Sequence, residues 1–190
     1  MVYFVGAGSG APDLITVRGA RLLNQADQII YAGSLVNPEL LDYKKESAVV
    51  YDSAKMTLEE VIEKIQEAES AGKMTVRLHT GDPCVYGAIR EQMDELDKLN
   101  ISYEVCPGVS SFCGAASALN LEYTLPGISQ SVIITRMAGR TPVPERESIA
   151  SFAAHHATMV IFLSTGMLKK LSEELIKGGY EADTPAAIVY

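Results

Sequence analysis

A strand that stops at a glycine-aspartate-proline turn and restarts as a helix leaves a chain few ways to fold. Met74-Thr75-Val76-Arg77-Leu78 alternates, so its apolar residues fall on one face of a strand. His79-Thr80-Gly81-Asp82-Pro83-Cys84-Val85-Tyr86-Gly87 follows, and Ile89, Met93 and Leu96 then share a helical face. The segment is a strand-to-helix corner, the place where open α/β sheets hold ligands. Gly81 lets backbone or ligand approach without a Cβ in the way. Pro83 biases Asp82 towards extended geometry and so fixes where its carboxylate points. A plain turn has the same tripeptide; the strand in front and Tyr86-Gly87 behind favour a binding loop.

The rest of the chain repeats the alternation. Val2-Tyr3-Phe4-Val5 reads as a buried strand and glycines 6, 8 and 10 follow it. The pattern matches the G-x-G-x-x-A form of a dinucleotide fingerprint. Two features oppose NAD: Pro12-Asp13 interrupts where a helix should open, and the second strand, Gln28 to Tyr31, ends without an acid for a ribose hydroxyl. Thr16 to Ala26 reads as a helix with Val17, Ala20, Leu22 and Leu23 towards the core. Residues 37–42 form a short helix opened by Asn37-Pro38, and Ala48 to Tyr51 is a third strand. Thr57 and Glu60 form a capping box before the apolar face Leu58, Val61, Ile62, Ile65 and Ala68, and Gly72 suits a left-handed cap.

Ile101 to Val105 alternates as another strand, and Pro107-Gly108-Val109-Ser110-Ser111 turns it into a helix of small residues. The stretch 120–130 has little periodicity and holds Pro126-Gly127, placing a domain junction there. The expected domains are 1–119 and 120–190. In the second, Val132 to Thr135 and Thr158 to Leu163 are strands, and Leu168, Leu171, Leu175 and Ile176 mark a helix. Arg136, Arg140 and Arg146 lie on a loop restrained by Pro142 and Pro144. Such a loop suits a polycarboxylate ligand held by forked contacts; a solvated loop balancing nearby acids fits the same residues. His155-His156 reads as surface. Pro185 to Tyr190 reads as an inner strand, and a domain seldom ends on one, so the second domain is expected to be truncated.

The chain has 190 residues, 47% of them hydrophobic and 21% charged, enough for one large or two small cores. Apolar runs are too short to span a bilayer, and no basic segment precedes one, which points to a cytoplasmic protein without a membrane partner. The three cysteines, Cys84, Cys106 and Cys113, contain no C-x-x-C pair, which argues against a disulfide frame or a bound metal. A net charge of −8 disfavours nucleic acid.

Three motifs together carry a resemblance. Thr80-Gly81-Asp82-Pro83-x-x-Tyr86-Gly87, the opening Val5 to Thr16 and Pro107 to Ser111 resemble the tetrapyrrole (corrin/porphyrin) methylases. Gly139-Arg140-Thr141-Pro142-Val143-Pro144-Glu145 is similar to the branch of that family that methylates carbon 11 of precorrin-4 or cobalt-precorrin-4 towards cobalamin. The resemblance covers the whole chain. It implies a two-domain α/β fold with S-adenosylmethionine (SAM) in the cleft between domains, a trough for the tetrapyrrole, and a homodimer. Carried over by motif, the SAM contacts are Pro12, Gly81, Asp82, Val85, Ser110, Ser111, Leu163 and Ala187. Arg136 and Arg140 are the expected substrate contacts.

The implied reaction is an in-line displacement at a sulfonium methyl. Holding two reactants in line is worth roughly 7–11 kcal/mol of barrier. A general base adds about a hundredfold or more, so positioning is the larger effect. No Ser-His-Asp, Cys-His or paired-carboxylate arrangement appears at an informative spacing, and no catalytic residue is assigned. Two alternatives stay open: the same fold acting on another precorrin, a diphthamide intermediate or ribosomal RNA, and a silent SAM- or tetrapyrrole-binding module.

Overall fold

The computed structural model describes residues 1–189, the side chain of Ser34 apart. The chain divides into two compact units, Met1–Gly114 and the segment from Ala115 onward. Unit 1 is an open sheet in the order β3-β2-β4-β1-β5, with every pair parallel. Its strands are β1 (Val2–Gly6), β2 (Gln28–Tyr31), β3 (Val49–Asp52), β4 (Thr75–His79) and β5 (Tyr103–Cys106). Helices α1 (Val17–Gln25), α2 (Leu58–Ser70) and α3 (Ile89–Lys98) are its crossovers, and α4 (Ser111–Leu119) straddles the boundary.

Apolar side chains cover both faces of this sheet. Val5, Leu23, Ala26, Ile29, Val76 and Leu78 form one cluster. Phe4, Ile30, Val61, Ile65, Ile89 and Leu96 form the other. A central parallel strand has no solvent face, and all five residues of β4 are buried, the polar Thr75, Arg77 and His79 included. Alternation in the sequence suggested one apolar and one polar face for this strand; here it marks two buried faces, one of them lined with polar groups that need partners.

Local signals set the helix limits. Thr57 accepts from Glu60 N while the Glu60 side chain accepts from Thr57 N, a complete capping box, and α2 buries Val61, Ile62, Ile65 and Ala68. Gly72 follows at φ +68. In α1, Thr16 caps the N-terminus and Gly19 and Leu23 are the buried positions. Val17, expected in the core, is 76% exposed, because the buried face follows Gly19 and Leu23 to Ala26 and leaves the first turn outside. Residues Pro38–Tyr43 wind as a 3-10 helix.

Unit 2 holds the parallel pair β6 (Val132–Arg136) and β7 (Thr158–Phe162), with α5 (Ile149–Ala153) and α6 (Leu168–Lys177). Helix α5 had no signal of its own beyond the Ser148 cap, which accepts from Ser151 N. Residues 120–130 close as a turn bridged between Leu125 and Ser129. The expected strand over 185–190 does not form: 185–189 are irregular and exposed, and Tyr190 lies outside the described residues. An apolar run becomes a strand only against a hydrogen-bonding neighbour, and the described sheet of unit 2 contains β6 and β7 alone.

Candidate functional site

The three loops of unit 1 singled out in the sequence leave neighbouring strands at one height. Gly6 pairs with His79 and Val5 with both Leu78 and Cys106, so β4, β1 and β5 end together. Beyond the ladder the backbones stay in contact. Ala7 N donates to His79 O (2.7 Å), Gly81 N to Gly8 O (2.9 Å) and Gly8 N to Gly81 O (3.3 Å). A Cβ on Gly6 would lie 2.5 Å from Gly108 Cα and 2.6 Å from Gly81 O, so the three corners close only without side chains there. Gly81 adopts φ +58, a conformation that disfavours any residue with a Cβ. Its open side faces Ser110 Cα and Ser111 N, at 3.6 and 3.4 Å from where a Cβ would stand.

Asp82 ties two of these loops. One carboxylate oxygen accepts from Cys84 N (2.8 Å) and the other from Gly108 N (3.0 Å). The carboxylate is thus a brace between the β4–α3 and β5–α4 loops, with an oxygen committed to each. Val85 N closes a turn onto Asp82 O (3.2 Å). Pro12 opens a short 3-10 turn, Pro12–Leu14, on the third loop. Burial, reinforced by the Asp82 carboxylate, pushes the Cys84 thiol above its ordinary range, so Cys84 is no thiolate nucleophile at neutral pH.

Charge in this region is one-sided. Residues 7–16, 80–88 and 107–110 contain Asp13 and Asp82 and no lysine or arginine. A pyrophosphate or polycarboxylate would find no cation there. Main-chain groups, Ser110, Ser111 and a glycine cradle meet at this junction instead. Beneath the loops, burial and then the charge of Arg77 hold the His79 imidazole down to about 3, so it is neutral. Its Nε2 is buried and has no hydrogen-bond partner among the described residues.

Unit 2 presents a different corner. Arg136 ends β6 and donates to Met137 O (3.3 Å), Thr141 O (3.1 Å) and Pro142 O (3.1 Å). Its guanidinium shapes the proline loop from inside. Arg140, on that loop, is exposed, and no ion pair or hydrogen bond engages it among the described residues. Ser164, 1% exposed, accepts from Met137 N (3.1 Å) and donates to Phe162 O (2.7 Å), joining the ends of β6 and β7. Between them Leu163 stands 72% exposed at φ +55, a strained conformation for a large side chain. Ala187 lies in the irregular exposed segment.

The structure therefore gathers Gly81, Asp82, Val85, Ser110 and Ser111 at one junction of unit 1, with Pro12 on the adjoining loop. In unit 2, Arg136 bonds carbonyls of its own loop and Arg140 is displayed on that loop. Sequence reasoning missed Gly6, Gly8 and Gly108 as packing positions, Ser164 as the tie in unit 2, and the buried Arg77. Three glycine-bearing strand ends were the available sign for the first group; Ser164 and Arg77 gave none. Among the described residues no group of three or more His, Cys, Asp or Glu is placed to hold a metal ion.

Comparison with known proteins converges on one family. The profile of the Tetrapyrrole (Corrin/Porphyrin) Methylases matches residues 1–190. A cobalt-precorrin-4 C(11)-methyltransferase of Methanocaldococcus jannaschii is 54% identical over 189 residues, covering 100% of this chain and 73% of that protein. The X-ray structure of a cobalt precorrin-4 methyltransferase superposes with a TM-score of 0.91 at 47% identity, over 94% of this chain and 75% of the other. Uroporphyrin-III C-methyl transferase from Thermus thermophilus, solved with S-adenyl homocysteine, gives 0.75 at 27% identity, over 95% and 73%. With its glycine junction, Asp82 brace and arginine loop all falling within the matched length, the chain belongs to the tetrapyrrole methylases.

Proposed function

We propose that this protein transfers the methyl group of SAM to carbon 11 of precorrin-4 or its cobalt form, a step of cobalamin synthesis. The contrast in charge between the two corners carries the reading. The unit 1 junction, free of lysine and arginine, suits a sulfonium ligand held by Pro12, Gly81, Asp82, Val85, Ser110 and Ser111. The braced loop of unit 2 carries Arg140, suited to an acceptor that bears many carboxylates. Likeness to C(11)-methyltransferases over the whole chain supports the choice of acceptor carbon.

SAM supplies an activated methyl: as the new carbon–carbon bond forms, the carbon–sulfur bond breaks and its electron pair returns to sulfur. The positive charge would pass from sulfur to the methylated ring, which regains neutrality by releasing a proton to solvent as the neutral sulfide departs. Alignment therefore matters more than a strong acid or base in the protein. The protein's part is alignment and exclusion of water. Gly81 and Gly108 let the loops close without side chains, Asp82 locks two of them together, and neutral His79 adds no charge below. A cytoplasmic homodimer without nucleic-acid or membrane partners completes the proposal. The net charge of −8 supports the exclusion of nucleic acid. No described helix is long and apolar enough to cross a membrane.

The test is a turnover assay with precorrin-4, with and without cobalt, and SAM labelled with carbon-13 in its methyl. A new labelled methyl at carbon 11 is expected. Label at another ring carbon would reassign the acceptor, and binding of both ligands without any product would make the protein a silent module.

A further inference from the structure

Arg77 is a cation in an unexpected place. It lies mid-strand in β4, 7% exposed, and forms no ion pair among the described residues. Burial lowers its pKa to about 10, so the guanidinium stays charged at neutral pH. Burying a charge is costly unless its hydrogen bonds are met. Two of them are: Nη1 donates to Ile30 O and Nε to Gln92 Oε1, both at 3.0 Å.

Gln92 is equally buried, at 7% exposure, on the first turns of α3. A guanidinium only donates, so Arg77 decides the orientation of the Gln92 amide: oxygen inward, NH2 outward. That NH2 donates to Ala88 O at 3.2 Å. Ala88 precedes α3 in the left-handed conformation, φ 51 and ψ 38, and offers no side-chain cap. Tyr86, two residues earlier, is left-handed as well, at φ 56. Non-glycine residues persist in that conformation only where their surroundings hold them. The Ala88 carbonyl is where the β4–α3 loop ends, so whatever fixes it fixes the loop from behind, while the Asp82 carboxylate fixes it in front.

We propose that Arg77 and Gln92 are positioning residues: a buried relay from the centre of the sheet to the Ala88 carbonyl sets the shape of the loop that carries Gly81, Asp82 and Val85. The inference deepens the SAM-site reading and rests on it for its consequence in binding, though the mechanical part stands on the geometry alone. Arg77 touches no ligand in this account. It acts through Gln92 and Ala88.

The test uses Gln92→Glu, alone and combined with Ala88→Gly. A glutamate keeps an acceptor for Arg77 and adds an ion pair, but places a second oxygen against Ala88 O. Site-resolved hydrogen exchange is read at Cys84 and Val85 in the loop and at Val76 and Leu78 in β4. S-adenosylhomocysteine affinity is measured by calorimetry on the same proteins. For Gln92→Glu, loop amides should exchange about tenfold faster with the β4 amides unchanged, and affinity should fall about tenfold, the scale of one hydrogen bond. Ala88→Gly, which tolerates the left-handed conformation, should recover most of both losses. Wild-type loop exchange in Gln92→Glu would overturn the proposal, as would a uniform rise across β4 and loop or a failure of Ala88→Gly to rescue. Gln92→Met carries the same test should the glutamate prevent folding. If the exchange pattern appears while the unmutated protein takes no S-adenosylhomocysteine, the ligand reading fails and the relay stands.

Discussion

Both units of this protein end parallel strands at a corner, and they hold that corner by opposite means. In unit 1, backbone meets backbone: Gly6, Gly81 and Gly108 approach so closely that no Cβ fits at Gly6, and one carboxylate, Asp82, ties the loops. In unit 2, side chains make the connections: Arg136 spans three carbonyls of its own loop and Ser164 joins the strand ends. The first arrangement yields a tight surface lacking positive charge. The second yields a shaped loop on which a spare arginine is displayed. A corner built from backbone has no side chain left to tune, so its specificity lies in shape. A corner built from side chains can exchange charge for another ligand without altering the fold. On the proposed reading, that division suits a donor shared across the family and an acceptor that varies within it.

Glycine should not mean the same in the two corners. Gly108→Ala should destabilise unit 1 by more than about 3 kcal/mol, because the new Cβ meets backbone that cannot yield. In unit 2, Gly139→Ala meets only Met167 Cε at 3.9 Å and should change stability by less than about 0.5 kcal/mol. Denaturant unfolding of the two variants checks both, and equal effects would dissolve the distinction.

Acid should also separate the units. His79 is held at about 3 when folded, against roughly 6.5 when unfolded. Below pH 6.5 the unfolded chain gains a proton that the folded one refuses. This contribution is therefore fully present above that pH and is lost as pH falls towards 3, by at most about 1.4 kcal/mol per unit. Urea unfolding between pH 6.5 and 5, before carboxylates titrate, should show the slope, and His79→Leu should flatten it. An unchanged slope would mean that His79 is not buried neutral.

The arginines sharpen the same contrast. Arg136→Ala should cost about 1 kcal/mol of stability through lost bonds to partly exposed carbonyls. Arg140→Ala should leave melting unchanged and weaken only the acceptor. A smaller effect belongs to Leu163: Leu163→Gly relieves its left-handed backbone and should raise stability by about 0.5 kcal/mol. Thermal unfolding reads both; a loss at Leu163→Gly would show that its exposed side chain is needed for packing.

Most of the parallel sheet was legible because its strands and crossovers carry strong local signals. The capping box at Thr57, the Gly72 stop and the strand before Gly81 each state their structure within a few residues. The site was legible as a set of motifs but not as a mechanism of holding. Asp82 stands out in the sequence within its motif, but nothing there shows that its oxygens also accept from Cys84 N and from Gly108 N, the latter 26 residues away in sequence. Arg136 reads like Arg140, and only the folded loop separates them. Arg77 occupies a polar slot in an alternating strand, which a single sequence equates with solvent. Residues 185–189 failed for the opposite reason: an apolar run names a strand only when a neighbour pairs with it.

On the proposed reading, donor and acceptor are recognised by different chemistry, one by shape and one by charge. A crossed binding measurement tests it directly. S-adenosylhomocysteine and a polycarboxylate tetrapyrrole are titrated separately into the native protein, Gly81→Val and Arg140→Ala, each at low and high salt. Gly81→Val should lose at least about tenfold in S-adenosylhomocysteine affinity, since a β-branched side chain cannot hold φ +58. Arg140→Ala should bind that ligand normally, lose about tenfold for the tetrapyrrole, and show a weaker salt dependence for it. Equal losses for both ligands in Arg140→Ala, or unchanged S-adenosylhomocysteine affinity in a folded Gly81→Val protein, would contradict the account.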